Sequence, residues 1–248
     1  MSLKTVAFIP ARSGSTRIPN KNIRLLDGVP LLAYSINAAL DSKIFDSVIC
    51  ATDSEEYADI AVQYGADVPF LRPSKISGSE DPDISWVKFM LETLRTHNKT
   101  YDIFAILRPT SPFRQASTII RAYNKFTSAK KVDSIRAVQP CSEHPGKMWV
   151  LNNDNMQPLL PYDIKGVPWH SNQKSALPEI FIQNASLEMA WAEVVTDKKS
   201  ISGSVILPFI TDDFEGFDIN EESDWILAEH HIKEGNVKLP KCKKIIGD

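Results

Sequence analysis

Apolar residues fall along this chain in two alternating rhythms. Thr5-Val6-Ala7-Phe8-Ile9 is a continuous β-prone run closed by Pro10, the pattern of a strand buried on both faces. Leu32, Ile36, Ala39 and Leu40 recur at helical spacing and predict a helix over 31–40. A second buried strand, Ser47-Val48-Ile49-Cys50-Ala51, is followed by a helix near Glu55 to Tyr64. The alternation continues with Val68-Pro69-Phe70-Leu71 as a strand, a helix around 84–96, a strong strand at Ile103-Phe104-Ala105-Ile106-Leu107 and a helix around 116–126. Repeated strand-helix-strand units predict an α/β fold, a mainly parallel sheet with helices on both faces. Ligands in such sheets gather beyond the carboxyl ends of the strands, so chemistry is expected in the loops after Ile9, Ala51 and Leu107.

From about 138 to 185 the rhythm is lost. Pro140, Pro145, Pro158, Pro161, Pro168 and Pro178 punctuate a stretch rich in Asn, Gln and aromatics, too proline-dense for a helix. Its length and moderate polarity suit a functional or partner-contacting arm better than a disordered linker. Regular patterning resumes over 186–194 and at Val205-Ile206-Leu207, and a last helix is expected from about 221 to 233. A length of 248 residues, 43% of them hydrophobic, fits one domain, 1–248, that carries the arm within it.

Charge narrows the function classes. A formal net charge of -3 with both signs interspersed provides no basic face to follow a nucleic-acid backbone, so an anionic ligand has to be met by a local cluster of cations. The longest apolar runs, such as Val29-Pro30-Leu31-Leu32-Ala33-Tyr34, fall well short of the roughly 20 residues that cross a bilayer. The opening Met1-Ser2-Leu3-Lys4 lacks the apolar core of a secretory signal, and a cytoplasmic protein is expected. Cys50, Cys141 and Cys242 form no Cys-x-x-Cys clip, and the five histidines make no His-Glu-x-x-His pair, so neither a zinc site nor a redox centre is expected.

One such cation cluster follows the first strand. Pro10-Ala11-Arg12-Ser13-Gly14-Ser15-Thr16-Arg17-Ile18-Pro19-Asn20-Lys21-Asn22 combines Arg12, Arg17 and Lys21 with a glycine and small hydroxyl residues. Small residues let backbone N–H groups approach phosphate oxygens, while Arg and Lys supply the charge. Gly14 stands alone and no Gly-Lys-Ser/Thr closes the loop, so neither the P-loop nor the dinucleotide fingerprint is met. A solvated surface turn is the plainer alternative; position at the end of the first buried strand favours the ligand site.

The same loop resembles the opening motif of the acylneuraminate (CMP-sialic acid) cytidylyltransferases, an apolar strand followed by Ala-Arg-x-x-Ser-x-x-x-Pro-x-Lys-Asn, met here by Ala11, Arg12, Ser15, Pro19, Lys21 and Asn22. Thr16 stands where many members carry Lys. Downstream, Ala51-Thr52-Asp53, Leu71-Arg72-Pro73 and Leu107-Arg108-Pro109-Thr110-Ser111-Pro112-Phe113-Arg114 are similar to the family's Ser-Thr-Asp, Leu-Arg-Pro and Leu-Gln-Pro-Thr-Ser-Pro-Leu-Arg. The resemblance implies a three-layer Rossmann-like nucleotidyltransferase sheet. It also implies that Arg12, Arg17 and Lys21 meet CTP phosphates, that Asn22 reads the cytosine and that Arg72 approaches the base. Ala11 and Ser15 belong to the same nucleotide loop.

Gly216-Phe217-Asp218-Ile219-Asn220 resembles the family's Ile-Asp-Ile-Asp metal motif, with residues 218 and 220 on one face of a strand end. Attack on the α-phosphorus develops charge that Mg²⁺ neutralises, and that ion needs only one or two protein oxygens. Asp218 is thus expected as a metal ligand and catalytic residue beside Arg12 and Lys21. Two readings stay open for Asn220, a second metal ligand and an N-cap of the last helix. For the acidic sugar the resemblance implies contacts from Arg108, at the family's glutamine position, from Thr110 and Ser111, from Lys147 and Lys174 on the arm, and from Asn184 in Gln183-Asn184-Ala185-Ser186. A surface ion pair with an aspartate is the alternative for Arg108. In the family the arm reaches a neighbouring subunit, which implies a homodimer; a long excursion folded over its own sheet is the alternative. The expected activity joins CMP from CTP to a sialic, legionaminic or pseudaminic type of sugar. The alternatives are a Kdo or sugar 1-phosphate nucleotidyltransferase and a silent nucleotide-binding protein.

Overall fold

Val6 and Phe8 point to one side of the first strand and Ala7 and Ile9 to the other, and each pair enters a different core. That strand, β1 (Thr5–Pro10), belongs to a six-stranded sheet with β2 (Ser47–Ala51), β3 (Ile103–Ile106), β4 (Ser134–Pro140), β5 (Phe181–Trp191) and β6 (Ile206–Ile210), in the order β6-β4-β5-β3-β1-β2. The structure, a computed structural model, describes residues 2–78 and 80–245. Met1 of the opening segment lies outside them. β1 runs parallel to β2 and β3, pairing Phe8 with Ile49 and with Ile106, while β5 is antiparallel to β3, pairing Glu188 with Ile106.

Helices cover both faces because alternate strand residues are apolar on both. On one face α1 (Leu31–Ser42), α2 (Glu55–Gln63) and α4 (Ala116–Ser128) bring Leu32, Ile36, Tyr57, Ala61, Ile119 and Phe126 onto Ala7, Ile9, Cys50 and Ala105. On the other, α3 (Asp83–Thr96) and α5 (Glu193–Asp197) bring Trp86, Val87, Met90, Leu94 and Val195 onto Val6, Phe8, Ile49, Phe104 and Ile106. Each large aliphatic or aromatic side chain buried this way contributes roughly 1.5–3 kcal/mol. The expected three-layer α/β arrangement with a mainly parallel core is therefore present.

A third, smaller core carries more weight for function. The last helix, α6 (Glu222–Lys233), packs Trp225 and Ala228 against Leu31, Tyr34 and Phe113, and against Ile18 and Ile219 from two otherwise polar loops.

Two local readings are corrected. Val68–Leu71 is not a strand: only Asp67 bridges to Ile49, and Pro69, lacking an N–H, cannot extend the ladder. Ser134–Pro140, passed over in the sequence, is a strand whose Ile135 and Ala137 are fully buried.

The chain divides into two units, residues 1–137 with 184–248, and residues 138–183. The second unit holds a hairpin of Trp149–Asn152 with Asn155–Pro158, a short pair Asp163–Ile164 with Val167–Pro168, and 3-10 turns. Its buried His144 accepts from Gly146 N–H through Nδ1 at 3.0 Å and donates through Nε2 to the Pro178 carbonyl at 3.0 Å. Among the described residues no helix is long and apolar enough to cross a membrane.

One turn gives a direct stability prediction. Gly203 has φ +66, and a Cβ there would sit 2.5 Å from Asp133. Asp133 itself accepts from Ser204 N–H at 2.7 Å, Val205 N–H at 3.0 Å and Lys198 Nζ at 2.6 Å. Gly203→Ala is expected to cost about 1–3 kcal/mol of stability, read as a fall in the denaturant midpoint with an unchanged slope.

Candidate active site

The chain leaves β1 for β2 on one side and later returns to place β3 on the other side of β1. The loops after β1 and β3 therefore diverge, and a crevice opens between them at the carboxyl ends of the strands. A cavity of about 400 Å³ lies there, lined by Arg12, Ser15, Lys21 and Asn22 of the first loop and by Arg108 and Thr110 after β3. Arg72, Asp83 and Trp86 form a further wall.

The first loop is anchored, not a free solvated turn. Ala11 N–H donates to the Ala51 carbonyl at 3.0 Å, extending the β1–β2 register by one step. Asp53, at the end of β2, accepts from Ser13 N–H at 2.8 Å and from Ser13 Oγ at 3.2 Å. Buried Asn22 donates from Nδ2 to the Arg12 carbonyl at 3.1 Å, while the Arg12 guanidinium donates to the Gly14 carbonyl at 2.8 Å. Ile18, 1% exposed, holds the middle of the loop in the third core.

The 218–220 segment meets this loop. Lys21 Nζ donates to the Ile219 carbonyl at 2.8 Å, and Ile219 N–H donates to the Thr110 carbonyl at 2.9 Å. Burial lowers the Lys21 pKa, the neighbouring Arg17 and Arg12 charges add to that, and Asp218 and Asp224 oppose it. The three cations and Asp218 thus act on one another. Asp218 Oδ2 accepts from Asn220 Nδ2 at 2.6 Å, while Oδ1 is buried with no hydrogen-bond partner among the described residues.

That orphaned carboxylate oxygen fits a hard cation. No cluster of three His, Cys, Asp or Glu side chains is found among the described residues, but an ion that also binds phosphate and water does not need one. The N-cap reading of Asn220 is corrected: Glu221 caps α6, and Asp224 Oδ2 accepts from both Glu221 N–H at 3.0 Å and Asn220 N–H at 2.8 Å.

Arg108 lines the cavity, but its charge is met within the protein. Its guanidinium pairs with Asp83 at 2.5 Å and with Glu188 at 2.9 Å. Burial opposes its charged form, and the two carboxylates more than offset that, raising its pKa. Arg136 Nη1 forms an ion pair with the other oxygen of Glu188 at 2.7 Å. The ion-pair alternative for Arg108 is present, as a half-buried network.

Ser111 is 1% exposed, with its hydroxyl buried and unpartnered among the described residues. Arg17 is exposed and interacts with Lys21 through charge. Asn184, 8% exposed, donates to Thr211 Oγ1 at 3.0 Å and accepts from Ser186 N–H at 3.1 Å. Lys147 and Lys174 lie in the second unit, where Lys147 donates to the Asn172 carbonyl and Lys174 to the Ser142 carbonyl, each at 2.5 Å.

Several contributors had no role assigned from the sequence, Asp53 among them although it stands in the Ala51-Thr52-Asp53 segment. Asp53 braces the first loop, Trp86 forms a cavity wall, and Glu188 and Arg136 complete the Arg108 network. Asp53 had a usable signal, since it opens the loop after the second parallel strand. Arg114, fully buried, donates to Ser35 Oγ at 2.5 Å and to the Ser186 carbonyl, joining α1, the 108–114 turn and β5.

Residues 6–144 match the family model described as cytidylyltransferase. The chain belongs to the cytidylyltransferase family. It is 34% identical, over 92% of its length and 95% of the other protein, to the CMP-N,N'-diacetyllegionaminic acid synthase of Legionella pneumophila. It is also 34% identical, over 92% of its length, to the N-acylneuraminate cytidylyltransferase of Escherichia coli O18:K1:H7, but spans only 52% of that longer protein. The fold is that of the solved CMP:2-keto-3-deoxy-manno-octonic acid synthetase complexed with CTP. The TM-score is 0.68 at 14% identity, over 94% of this chain and 99% of that one.

Proposed function

We propose that this cytidylyltransferase transfers CMP from CTP to the anomeric hydroxyl of an acidic nonulosonic sugar and releases pyrophosphate. The observation that carries the reading is the joining of the cationic first loop to the Asp218 segment through Lys21 at the mouth of a parallel sheet. The relatives' names supply the sugar class, a legionaminic or acylneuraminic acid.

In this reaction the anomeric hydroxyl gives up its proton to solvent as its oxygen forms a bond to the α-phosphorus, the bond from that phosphorus to the bridging oxygen breaks, and pyrophosphate carries away that bond's electrons. Arg12 and Lys21 neutralise the triphosphate, and Ser15 and the backbone around Gly14 cradle its oxygens. Asp218, with the amide oxygen of Asn220, would hold Mg²⁺, which supplies charge neutralisation at the phosphates when bound. Asn22 and Arg72 line the base end. Holding CTP and sugar in line accounts for most of the acceleration in such a scheme.

The assembly we propose is a homodimer formed through the 138–183 unit. That unit leaves Leu151 73%, Met156 55% and Tyr162 55% exposed, apolar area that an unpartnered surface rarely keeps. Its setting is the reducing cytoplasm, with which the free thiols of Cys50, Cys141 and Cys242 agree.

Incubation with CTP, Mg²⁺ and separately N-acetylneuraminate, N,N'-diacetyllegionaminate, pseudaminate and Kdo is expected to release pyrophosphate with at least one nine-carbon acid and not with Kdo. Release with Kdo alone would move the assignment to the eight-carbon class. CTP binding without release from any acid would leave a silent nucleotide-binding protein.

A further inference from the structure

Trp86 stands in the cavity wall between two opposite charges. On one side the Arg72 guanidinium lies 5.1 Å above its ring; Arg72 is 6% exposed, spends Nη2 on the Ile76 carbonyl at 2.6 Å, and keeps Nε buried without a hydrogen-bond partner among the described residues. On the other, the indole N–H donates to Asp83 Oδ1 at 2.7 Å, while Asp83 Oδ2 takes the Arg108 guanidinium. Asp83 is the first residue of α3, following Pro82, and its side chain keeps 28% of its surface open. Gly78 and Pro82 also line the cavity.

A carboxylate accepts at about four lone-pair positions, and the indole and Arg108 occupy two. The others remain for a donor in the cavity. Burial works against the charged form of Asp83, but the Arg108 charge, the Arg108 hydrogen bond and the indole N–H outweigh it, so the group stays an anion and accepts only. Arg72 can only donate.

We infer that Asp83 selects the nucleobase: its carboxylate accepts from the exocyclic amine of cytosine while Arg72 donates to the ring's acceptor edge. This rests on the CTP reading above and assigns one residue to its base specificity. Cytosine offers an amine donor beside two acceptors, N3 and O2, and an aspartate is a matched acceptor for that amine. Uracil reverses the first two positions. Its O4 lone pairs would face the carboxylate and its N3–H would face the guanidinium, two like-with-like contacts in a half-buried site. Such repulsive mismatch, added to the matched contacts that cytosine makes, separates the two bases.

The test compares binding of CTP, UTP and dCTP, each with Mg²⁺, by titration calorimetry to the full chain and to Asp83→Asn and Asp83→Ser, with circular dichroism to check folding. Wild type is expected to favour CTP over UTP by roughly 10²-fold. In Asp83→Asn, whose amide can both donate and accept, the ratio is expected to shrink at least tenfold, chiefly because UTP binds more tightly. A role limited to holding Arg108 would weaken both nucleotides alike and leave the ratio unchanged, which overturns the inference. Overturning it equally would be a change confined to the CTP to dCTP ratio, which moves Asp83 to the ribose. If wild type binds no nucleotide, the CTP reading fails together with the inference; if it binds CTP but releases no pyrophosphate, the calorimetric ratio still decides on Asp83.

Discussion

Asp218→Ala is expected to cut pyrophosphate release from CTP by about 10³-fold or more while leaving the fold as stable as before or slightly more so. Both halves follow from the same oxygen. Oδ1 of Asp218 is buried without a partner among the described residues, and Oδ2 is met by a single amide N–H from Asn220. An unsatisfied buried polar atom costs roughly 1–3 kcal/mol, so truncation removes a local cost along with one hydrogen bond worth about 1 kcal/mol. A residue kept at such a cost serves something other than stability, and activity and stability are expected to move in opposite directions. Steady-state assays at saturating sugar, with thermal melts of the same preparations, check this. A large drop in melting temperature alongside the lost activity would make Asp218 a structural residue and remove the metal assignment with it. Asn220→Asp provides the converse: a second carboxylate on the same face is expected to lower the Mg²⁺ concentration for half-maximal rate by severalfold, since a hard cation prefers an anionic oxygen.

The scaffold was legible because its rules are local. A strand buried on both faces needs an unbroken apolar run, and Thr5–Pro10, Ser47–Ala51 and Ile103–Ile106 each have one; together they form the parallel centre of the sheet. Val68–Leu71 had the composition but also Pro69, and the missing N–H prevailed over β-propensity. Ser134–Pro140 hid for the opposite reason: Arg136 and Gln139 interrupt its apolar residues, and Arg136 is there to meet Glu188 on the next strand, a partner more than fifty positions away. The site divides along the same line. Arg12, Ser15, Lys21 and Asn22 were readable as a local cluster following a strand, and all four line the cavity. What surrounds Arg108 was not, because Asp83 and Glu188 reach it from a helix start and a distant antiparallel strand. Ile18 had a signal in plain view, a lone apolar residue inside a polar loop, but its meaning depends on α6, some two hundred positions later.

Lys21 is the second residue whose loss is expected to be severe. Its ammonium is half-buried between Arg12, Arg17 and Asp218, and its hydrogen bond to the Ile219 carbonyl, its only one among the described residues, ties the phosphate loop to the segment that carries Asp218. Lys21→Met keeps the length and removes the charge. Its expected effect is a fall of about 10²–10³ in kcat/KM for CTP, lodged mainly in kcat because charge on the phosphates rises as the bridging bond breaks. Stability should change by no more than about 1 kcal/mol, since the lost hydrogen bond is offset by no longer burying an ammonium among like charges. Lys21→Arg should restore little of the rate, because a planar fork cannot occupy the place of a compact point charge bonded to one carbonyl. Arg17→Ala, by contrast, removes an exposed cation and should cost less than tenfold. The pH profile provides an independent check. Burial and the two arginines hold the Lys21 pKa below that of a free lysine, so the wild-type rate should decline on the alkaline side sooner than an ordinary ammonium would allow. Arg17→Ala removes one of the like charges and should push that decline to higher pH; a profile unmoved by this substitution would mean that Lys21 does not carry the charge on which the reaction depends.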